Sequence, residues 1–196
     1  MPIAINGTGT ITGISAGGLP DACVTAADLA SGAAKANFGA GCVLQVVQGV
    51  VTTAISFSTV GSWNDITGLS ASITPSSTSN KILVIANIKG QASQNTSSRV
   101  IRNSTAIGVS TEASPGSRLI SAGGDFYGAG SGGGAGQVHT HIFLDSPIST
   151  STLTYKAQYN LTQAGGVFYL NTTYANVNAT YTFLGISTLT LVEIAG

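Results

Sequence analysis

Residues 81–89 read KILVIANIK, a stretch in which Ile82, Leu83, Val84 and Ile85 are consecutive apolar residues. Successive side chains of a β-strand point to opposite faces of its sheet, so such a run places apolar side chains on both faces. Strands of this kind are typical of the centre of a sheet that is covered on both sides. Residues 191–192 (LV) repeat the pattern near the C-terminus. We therefore predict two central strands, each buried on both faces.

The residues on either side of this stretch are typical of an all-β protein. Short β-branched runs alternate with Gly, Pro, Ser and Asn, and the segments 74–77 (TPSS) and 145–147 (DSP) are turn sequences. Residues 155–160 alternate apolar and polar side chains, which predicts a strand with one solvated face. The predicted strands are Val43–Val51, Ala54–Ser58, Ile66–Ile73, Lys81–Lys89, Arg99–Arg102, Ala106–Ser110, Arg118–Ser121, Val138–Leu144, Thr152–Asn160, Gly166–Asn171 and Ser187–Ile194.

About ten strands fit one antiparallel, jelly-roll-like β-sandwich, which we assign to residues 43–196. Residues 1–42 differ in composition, because they are rich in Gly, Ala and Thr and lack the large apolar residues of a core. Asp21 or Thr25 is placed to cap one short helix, which would be marginal alone. We predict that residues 1–42 form an extended, partly helical N-terminal arm for attachment and oligomerisation.

Charge is scarce throughout the chain. Only 7% of its residues are charged, seven basic and seven acidic, against about a quarter in ordinary soluble proteins. A chain without net charge has no long-range repulsion between copies, and the cores of protein interfaces are depleted in charge. We therefore expect an obligate oligomer whose charge-poor faces are buried between subunits.

The same composition argues against two other kinds of partner. No basic stripe is present for nucleic acid, and no run of eighteen apolar residues is present for insertion into a membrane. The N-terminus also lacks the positive start and apolar centre of a secretory signal. We expect synthesis and assembly in the cytoplasm.

Residues 123–136 (GGDFYGAGSGGGAG) formally match a dinucleotide fingerprint, but eight glycines in fourteen residues cannot begin the helix which that motif requires. Two readings of this segment remain. It is a mobile surface loop, or it is a recognition loop in which Phe126 and Tyr127 supply rigid contact area among adaptable glycines. On the second reading, these two rings are the receptor-contact residues, and a glycan or another envelope component is the partner.

His139 and His141 are two residues apart on a predicted strand, so both rings project from the same face. In a threefold assembly six imidazoles would converge on the axis and could hold a metal ion, and the His-x-His pair resembles metal-binding pairs of some trimeric phage fibres. The alternative is a pair of ordinary surface or interface histidines, since no carboxylate or cysteine completes a site within one chain. No other cofactor is expected.

No catalytic residues are predicted. Glycoside hydrolysis needs two carboxyl groups several ångströms apart in a groove, whereas the acidic residues of this chain are scattered singly. A nucleophilic serine would be expected in a Gly-x-Ser-x-Gly turn between a strand and a helix. The one match, at residues 13–17 (GISAG), lies in the arm, where no strand is predicted to precede it. We therefore expect a protein that is not an enzyme, with a glycan-degrading tailspike as a remote alternative.

Several segments resemble predicted structural proteins of tailed phages, especially phages of cyanobacteria and marine bacteria. They are INGTGTITGISAGGLP at 5–20, SFSTVGSWNDITGLSASITPSSTSNKILVIANI at 56–88, STAIG at 104–108, FLDSPISTSTLTYKAQ at 143–158 and TLTLVEIAG at 188–196. Together they spread over most of the chain. Proteins of this class are commonly labelled tail-fibre or minor virion proteins.

The resemblance implies a homotrimer in the virion, attached to other virion proteins by its N-terminal arm, with the β domain projecting outward. It implies a tail-fibre or receptor-binding component for host adsorption. The alternative is a capsid decoration protein, either a cement or a head-fibre protein, that stabilises or decorates the shell. The resemblance transfers no catalytic residue.

Overall fold

The computed structural model of the protein describes residues 39–113, 115–123, 126, 136–174, 178, 180 and 182–196. These residues belong to a unit that extends from Gly39 to Gly196. Most of the predicted N-terminal arm, and Tyr127 of the predicted contact pair, lie outside the described residues. Gly41 and Cys42 form backbone hydrogen bonds with Ala195, at 2.7 and 2.9 Å. The β unit therefore includes residues that precede Val43, the predicted start of the β domain.

All regular structure among the described residues is β-strand, and no helix occurs in this part of the chain. The described residues therefore contain no helix that is long and apolar enough to cross a membrane. The ten strands are β1 (Val43–Val51), β2 (Ile55–Phe57), β3 (Asn64–Ile73), β4 (Lys81–Ala92), β5 (Thr96–Arg102), β6 (Thr105–Ile107), β7 (Gln137–Asp145), β8 (Leu153–Leu161), β9 (Phe168–Leu170) and β10 (Ser187–Ile194).

The predicted all-β, antiparallel architecture is confirmed. β1 and β10 have the predicted bounds, and eight further predicted strands occur with ends shifted by a few residues. The strand predicted at residues 118–121 is wrong. Arg118 instead closes a local turn, in which its backbone and its side chain both donate to the Pro115 carbonyl and its guanidinium pairs with Glu112.

The strands form two sheets in which every ladder is antiparallel. In the six-stranded sheet the order is β1-β10-β4-β9-β2, and β7 pairs with the other edge of β4. In the four-stranded sheet the order is β3-β8-β5-β6. KILVIANIK lies in β4, between β10 and β7, where its nine residues are paired along their length. The stretch is central, as predicted.

One hydrophobic core lies between the two sheets. β4 contributes Ile82, Val84, Ala86 and Ile88, which alternate with residues that point away from the core. The four-stranded sheet contributes the tyrosines of β8, Tyr155 and Tyr159, as the alternation of residues 155–160 predicts. The remaining core residues are mostly aliphatic and come from both sheets, including Ile66, Leu69, Ile73, Val100, Leu153, Leu161, Phe168, Leu170, Leu189 and Leu191.

The prediction that β4 and β10 are buried on both faces is wrong for the outer face. Leu83 and Ile85 of β4, and Val192 of β10, are half-buried, whereas their neighbours that face the core are fully buried. The described residues contain no second layer that covers this side of the six-stranded sheet. The sequence is apolar on a face that the described residues leave accessible.

One close backbone approach and one tight turn shape the sandwich. A Cβ at Gly49 of β1 would lie 2.0 Å from the Ser70 carbonyl oxygen of β3, so only glycine lets these two strands of different sheets approach this closely. At the other side, β5 and β6 are joined by Asn103 and Ser104, and Asn103 has a φ of 54°. Asparagine tolerates this left-handed conformation better than most residues.

Candidate subunit interface and the buried histidine pair

The two outer surfaces of the sandwich differ in polarity. We call the outward side chains of β1, β10, β4 and β7 the apolar face, and those of β3, β8 and β5 the polar face. On the apolar face, cross-strand register aligns Val46, Val192, Leu83 and Leu144 in one row. The next row aligns Gln48, Thr190, Ile85 and Ile142, and a third aligns Val50, Thr188, Asn87 and Thr140.

Side chains of the apolar face are unusually accessible on its two edge strands. Val46 of β1 is 60% exposed and Ile142 of β7 is 67% exposed, and Val50, Val138 and Leu144 are exposed too. The three rows contain no charged residue, and Lys81 and Lys89 lie beyond them at the two ends. This surface was not predicted from the sequence. The consecutive apolar residues of β4 and of residues 142–144 (IFL) are the feature that could have indicated it.

The polar face carries a network of paired charges and amides, whereas the three rows of the apolar face contain no charge. Lys156 pairs with Asp65 at 2.8 Å, Gln158 donates to the other oxygen of Asp65, and Arg99 donates to Gln158. The Arg99 guanidinium also stacks over the Trp63 ring at 4.2 Å. Burial alone would raise the pKa of Asp65, but the bonds from Lys156 and Gln158 hold it below its usual value. The outer side chains of this sheet are therefore compatible with contact with solvent.

His139 and His141 lie on the same face of β7, as the strand alternation predicts, but that face is the inner one. Both imidazoles share one hydroxyl: Ser98 Oγ is 2.7 Å from His141 Nε2 and 3.2 Å from His139 Nδ1. His141 is 7% exposed and also forms a hydrogen bond with the backbone of Ala122. A Cβ at Gly123 would lie 2.6 Å from its ring, so glycine makes room for the imidazole.

This placement changes the interpretation of the histidine pair. Burial lowers the pKa of His141 despite the opposing hydrogen bond to Ala122, so the neutral imidazole is favoured. Its contacts lie within the chain, whereas a metal ion on a threefold axis would require rings that project outward. In the part of the chain that the structure describes, no three His, Cys, Asp or Glu side chains are grouped for metal binding. The described geometry places the two imidazoles on one buried hydroxyl within a single chain, rather than on an outer surface of the sandwich.

Phe126 is part of the core, whereas the sequence predicts an exposed receptor-contact residue. Its ring is 0% exposed, stacks on His139 with centroids 3.5 Å apart and contacts Phe168 at 4.8 Å. Its backbone is fixed as well, because its N–H donates to Thr96 and its carbonyl accepts from Ala92. The prediction that Phe126 is an exposed contact residue is wrong, because a large apolar ring is more stable in the core than in water. The prediction for Tyr127 stays a prediction.

A cavity of about 160 Å³ lies beside the histidine pair, at the open side of the sandwich between β7 and the β5–β6 hairpin. Its walls include Val84 and Val100 of the core and His141, Phe143 and Gly108 near the surface. No space remains for a side chain at Gly108, where a Cβ would lie 2.9 Å from the Phe143 ring. The residues that line the cavity come from both sheets.

The four described carboxylates each have a protein partner. Asp65 and Glu112 pair with Lys156 and Arg118 on the surface. Asp145 lies between the sheets, where it pairs with Arg102 of β5 at 2.5 Å and accepts a hydrogen bond from the Tyr155 hydroxyl at 2.7 Å. Burial, and then the bond to Asp145, raise the pKa of Tyr155 well above its usual value.

Glu193 is the most buried of these carboxylates, and among the described residues it has no cationic partner. It accepts hydrogen bonds from the backbone and hydroxyl of Ser76, from Asn80 and from Gln45, at 2.5 to 2.7 Å. Burial would raise the pKa of Glu193, but these bonds hold it below its usual value. The carboxylate ties the 74–80 turn to β10, which is a structural role.

Comparison with known proteins assigns no family. No family model matches the chain, and no curated protein sequence matches it.

Proposed function

We propose that this chain is a non-enzymatic structural protein of a tailed-phage virion, assembled as a homotrimer of jelly-roll subunits. Within the virion, we propose a short tail-fibre or receptor-binding role in host adsorption. The observation that carries the proposal is the strand order of the two sheets. Composition and the resemblance of several segments to phage structural proteins support it further.

The strand order supports a jelly roll once the three-residue strands β2 and β9 are set aside. If the other eight strands are numbered along the chain, the six-stranded sheet has the order 1-8-3-6 and the four-stranded sheet has the order 2-7-4-5. Successive strands then change sheets in the way that two Greek keys require. Jelly rolls are found in viral capsid and lectin domains and in cupins. This fold is therefore compatible with a virion protein but does not by itself distinguish it from the other classes.

Two features of the chain narrow the choice among jelly-roll functions. Every described carboxylate is held by a structural partner, which supports a scaffold better than general acid–base chemistry. The scarcity of charge suits a subunit that is permanently buried in an assembly. In this proposal, residues 1–42 attach the subunit to other virion proteins, and the β domain projects outward toward a host glycan or another envelope component.

Capsid decoration is the second candidate, and one observation favours it. The burial of Phe126 removes the described half of the predicted receptor-contact pair. A cement or head-fibre protein needs no such contact residue, because it binds the shell through its arm. The two candidates share the fold, the arm and the oligomer, and they differ in where the protein lies on the particle.

Immunogold labelling of purified virions of the encoding phage tests both candidates. Antibody against the recombinant chain is expected to label the tail tip or the fibres. Label over the head surface would replace the tail-fibre role with capsid decoration. Particles without label, and without the chain in their protein composition, would contradict the virion assignment altogether.

Deletion of residues 1–42 tests the role of the arm. We expect the truncated chain to keep the circular dichroism spectrum of a β protein but not to be incorporated into particles. A truncation that begins at residue 39 is the matched control for folding, because Gly41 and Cys42 bond to Ala195. Normal incorporation of either truncation would contradict the attachment role.

A further inference from the structure

We propose that the apolar face binds a second copy of this chain, so that the six-stranded sheets lie in the interior of the oligomer. The inference rests on the proposed function, and it names the surface and the partner through which that assembly forms. It also accounts for the outer side chains of β4 and β10, which are apolar although no described part of the chain covers them.

The apolar face has the composition of an interface. Its centre consists of Val46, Val192, Leu83 and Leu144, with Ile85 and Ile142 in the adjoining row. Hydrogen-bonded neutral pairs lie beside this centre: Gln48 donates to Thr190 at 2.7 Å, and Thr140 donates to Asn87 at 2.8 Å. An apolar centre with polar groups around it is the usual anatomy of a protein interface.

The size of the face is sufficient for association. Four strands spaced about 4.8 Å apart, each contributing about eight residues of about 3.3 Å, cover roughly 500 Å² per subunit before side-chain relief is counted. Two such faces together bury roughly 1,000 Å², which is the level at which a biological interface is expected. The exposed Val138 on β7 enlarges this area.

Charge selects a second copy over other partners. The three rows of the apolar face offer no charge of either sign, so their complement is another uncharged apolar surface. The chain itself supplies that surface, and copies whose apolar faces meet around a common symmetry axis cover one another's faces. Asp65, Lys156 and Arg99 of the polar face stay in water in such an oligomer. A lipid surface is a poorer match, because Gln48, Thr190, Asn87 and Thr140 would enter it as well.

The experiment compares one added charge on each face. Ile142→Asp places a carboxylate on the apolar face, and Ser72→Asp places the same charge at an exposed site of the polar face. Sedimentation velocity of the full chain at 1–50 µM (a range of about fiftyfold in concentration) should show an oligomer for wild type and for Ser72→Asp. The Ile142→Asp dissociation constant should rise about tenfold or more, because the interface would bury an unpaired charge.

A second variant protects the test against misfolding. Val46→Asp alters the other edge of the same face, and its side chain is exposed in the single chain. Circular dichroism and thermal unfolding identify the variants that retain the β fold. Folded Ile142→Asp and Val46→Asp proteins that associate like wild type would overturn the inference, as would a wild-type monomer, including one that binds phosphatidylcholine vesicles instead.

The subunit number separates this inference from the proposed function. A wild-type dimer that both aspartate variants dissociate supports the interface and contradicts the homotrimer. A trimer that neither folded variant weakens leaves the proposed homotrimer intact and overturns the assignment of the apolar face.

Discussion

Ser98 is the residue on which the interior polar cluster depends. Its hydroxyl is fully buried and contacts both His139 and His141, next to the stacked ring of Phe126. We expect Ser98→Ala to lower the free energy of unfolding by about 1–3 kcal/mol, because buried imidazole nitrogens lose their partner. Urea unfolding followed by circular dichroism measures this change.

Ser72→Ala is the matched control for this prediction. Ser72 Oγ lies 2.9 Å from the Thr154 hydroxyl, but this pair is on the exposed polar face, where water replaces a lost partner. We expect a change within about 0.5 kcal/mol for Ser72→Ala. Equal effects of the two substitutions would show that the buried cluster contributes nothing particular to stability.

The crossing of β1 and β3 depends on a glycine inside a strand. Alanine has a lower entropic cost than glycine in an extended strand, so Gly49→Ala would stabilise an unconstrained β1. Because its Cβ would lie 2.0 Å from the Ser70 carbonyl oxygen, we instead expect a loss of about 1–3 kcal/mol in the free energy of unfolding, the usual effect of overpacking. Thermal or urea unfolding tests the sign.

Gly39→Ala controls for the general effect of replacing glycine. No atom lies within 4 Å of a Cβ at Gly39, and its backbone does not require glycine. We expect Gly39→Ala to be neutral or slightly stabilising. If Gly49→Ala also behaves this way, the close approach of the two strands is not a constraint on stability.

The distribution of charge over the molecule predicts how the proposed oligomer responds to salt. The described charged groups lie on the polar face, between the sheets, in the turn of Glu112 and Arg118, or at Lys81 and Lys89 beyond the rows. None of them lies within the three rows of the apolar face. An interface without charges is not screened, so association should be at least as strong in 1 M NaCl as in 0.05 M NaCl (a span of about twentyfold in ionic strength). Sulfate should strengthen association and urea should weaken it.

Sedimentation velocity in each of these solutions measures the strength of association and tests this prediction. Dissociation of the oligomer in 1 M NaCl (about 3 Å of Debye length) would indicate that ion pairs hold it, and would contradict the apolar face as its interface. Ser72→Asp serves again as the control, because a charge on the polar face should leave the salt dependence of association unchanged.

Most strands were predictable because local alternation and turn residues define them. β1 and β10 were predicted to the residue, and the apolar run of β4 indicated its central position. The strand predicted at residues 118–121 failed because a short apolar pair does not distinguish a strand from a turn closed by Arg118 and Pro115. Strand pairing could not be predicted, since it joins residues far apart in the chain.

The candidate sites were less predictable for the same reason. Alternation placed His139 and His141 on one face of a strand, but only the packing of β7 against the four-stranded sheet shows that this face is inward and that Ser98 meets both rings. Phe126 lies in a glycine-rich segment of a kind that is typical of exposed loops. In the folded chain its ring instead packs in the core against Phe168.

Composition and periodicity, which are local properties, sufficed for an all-β chain with scarce charge and a central apolar strand. Where the uncharged surface lies depends on contacts between residues that are far apart in the sequence. Leu83 and Ile85 looked like residues buried in their own chain, and cross-strand register instead aligns them with Leu144 and Ile142 on an accessible face. Folding had to bring the strands together before one outer surface of the sandwich became apolar and the other polar.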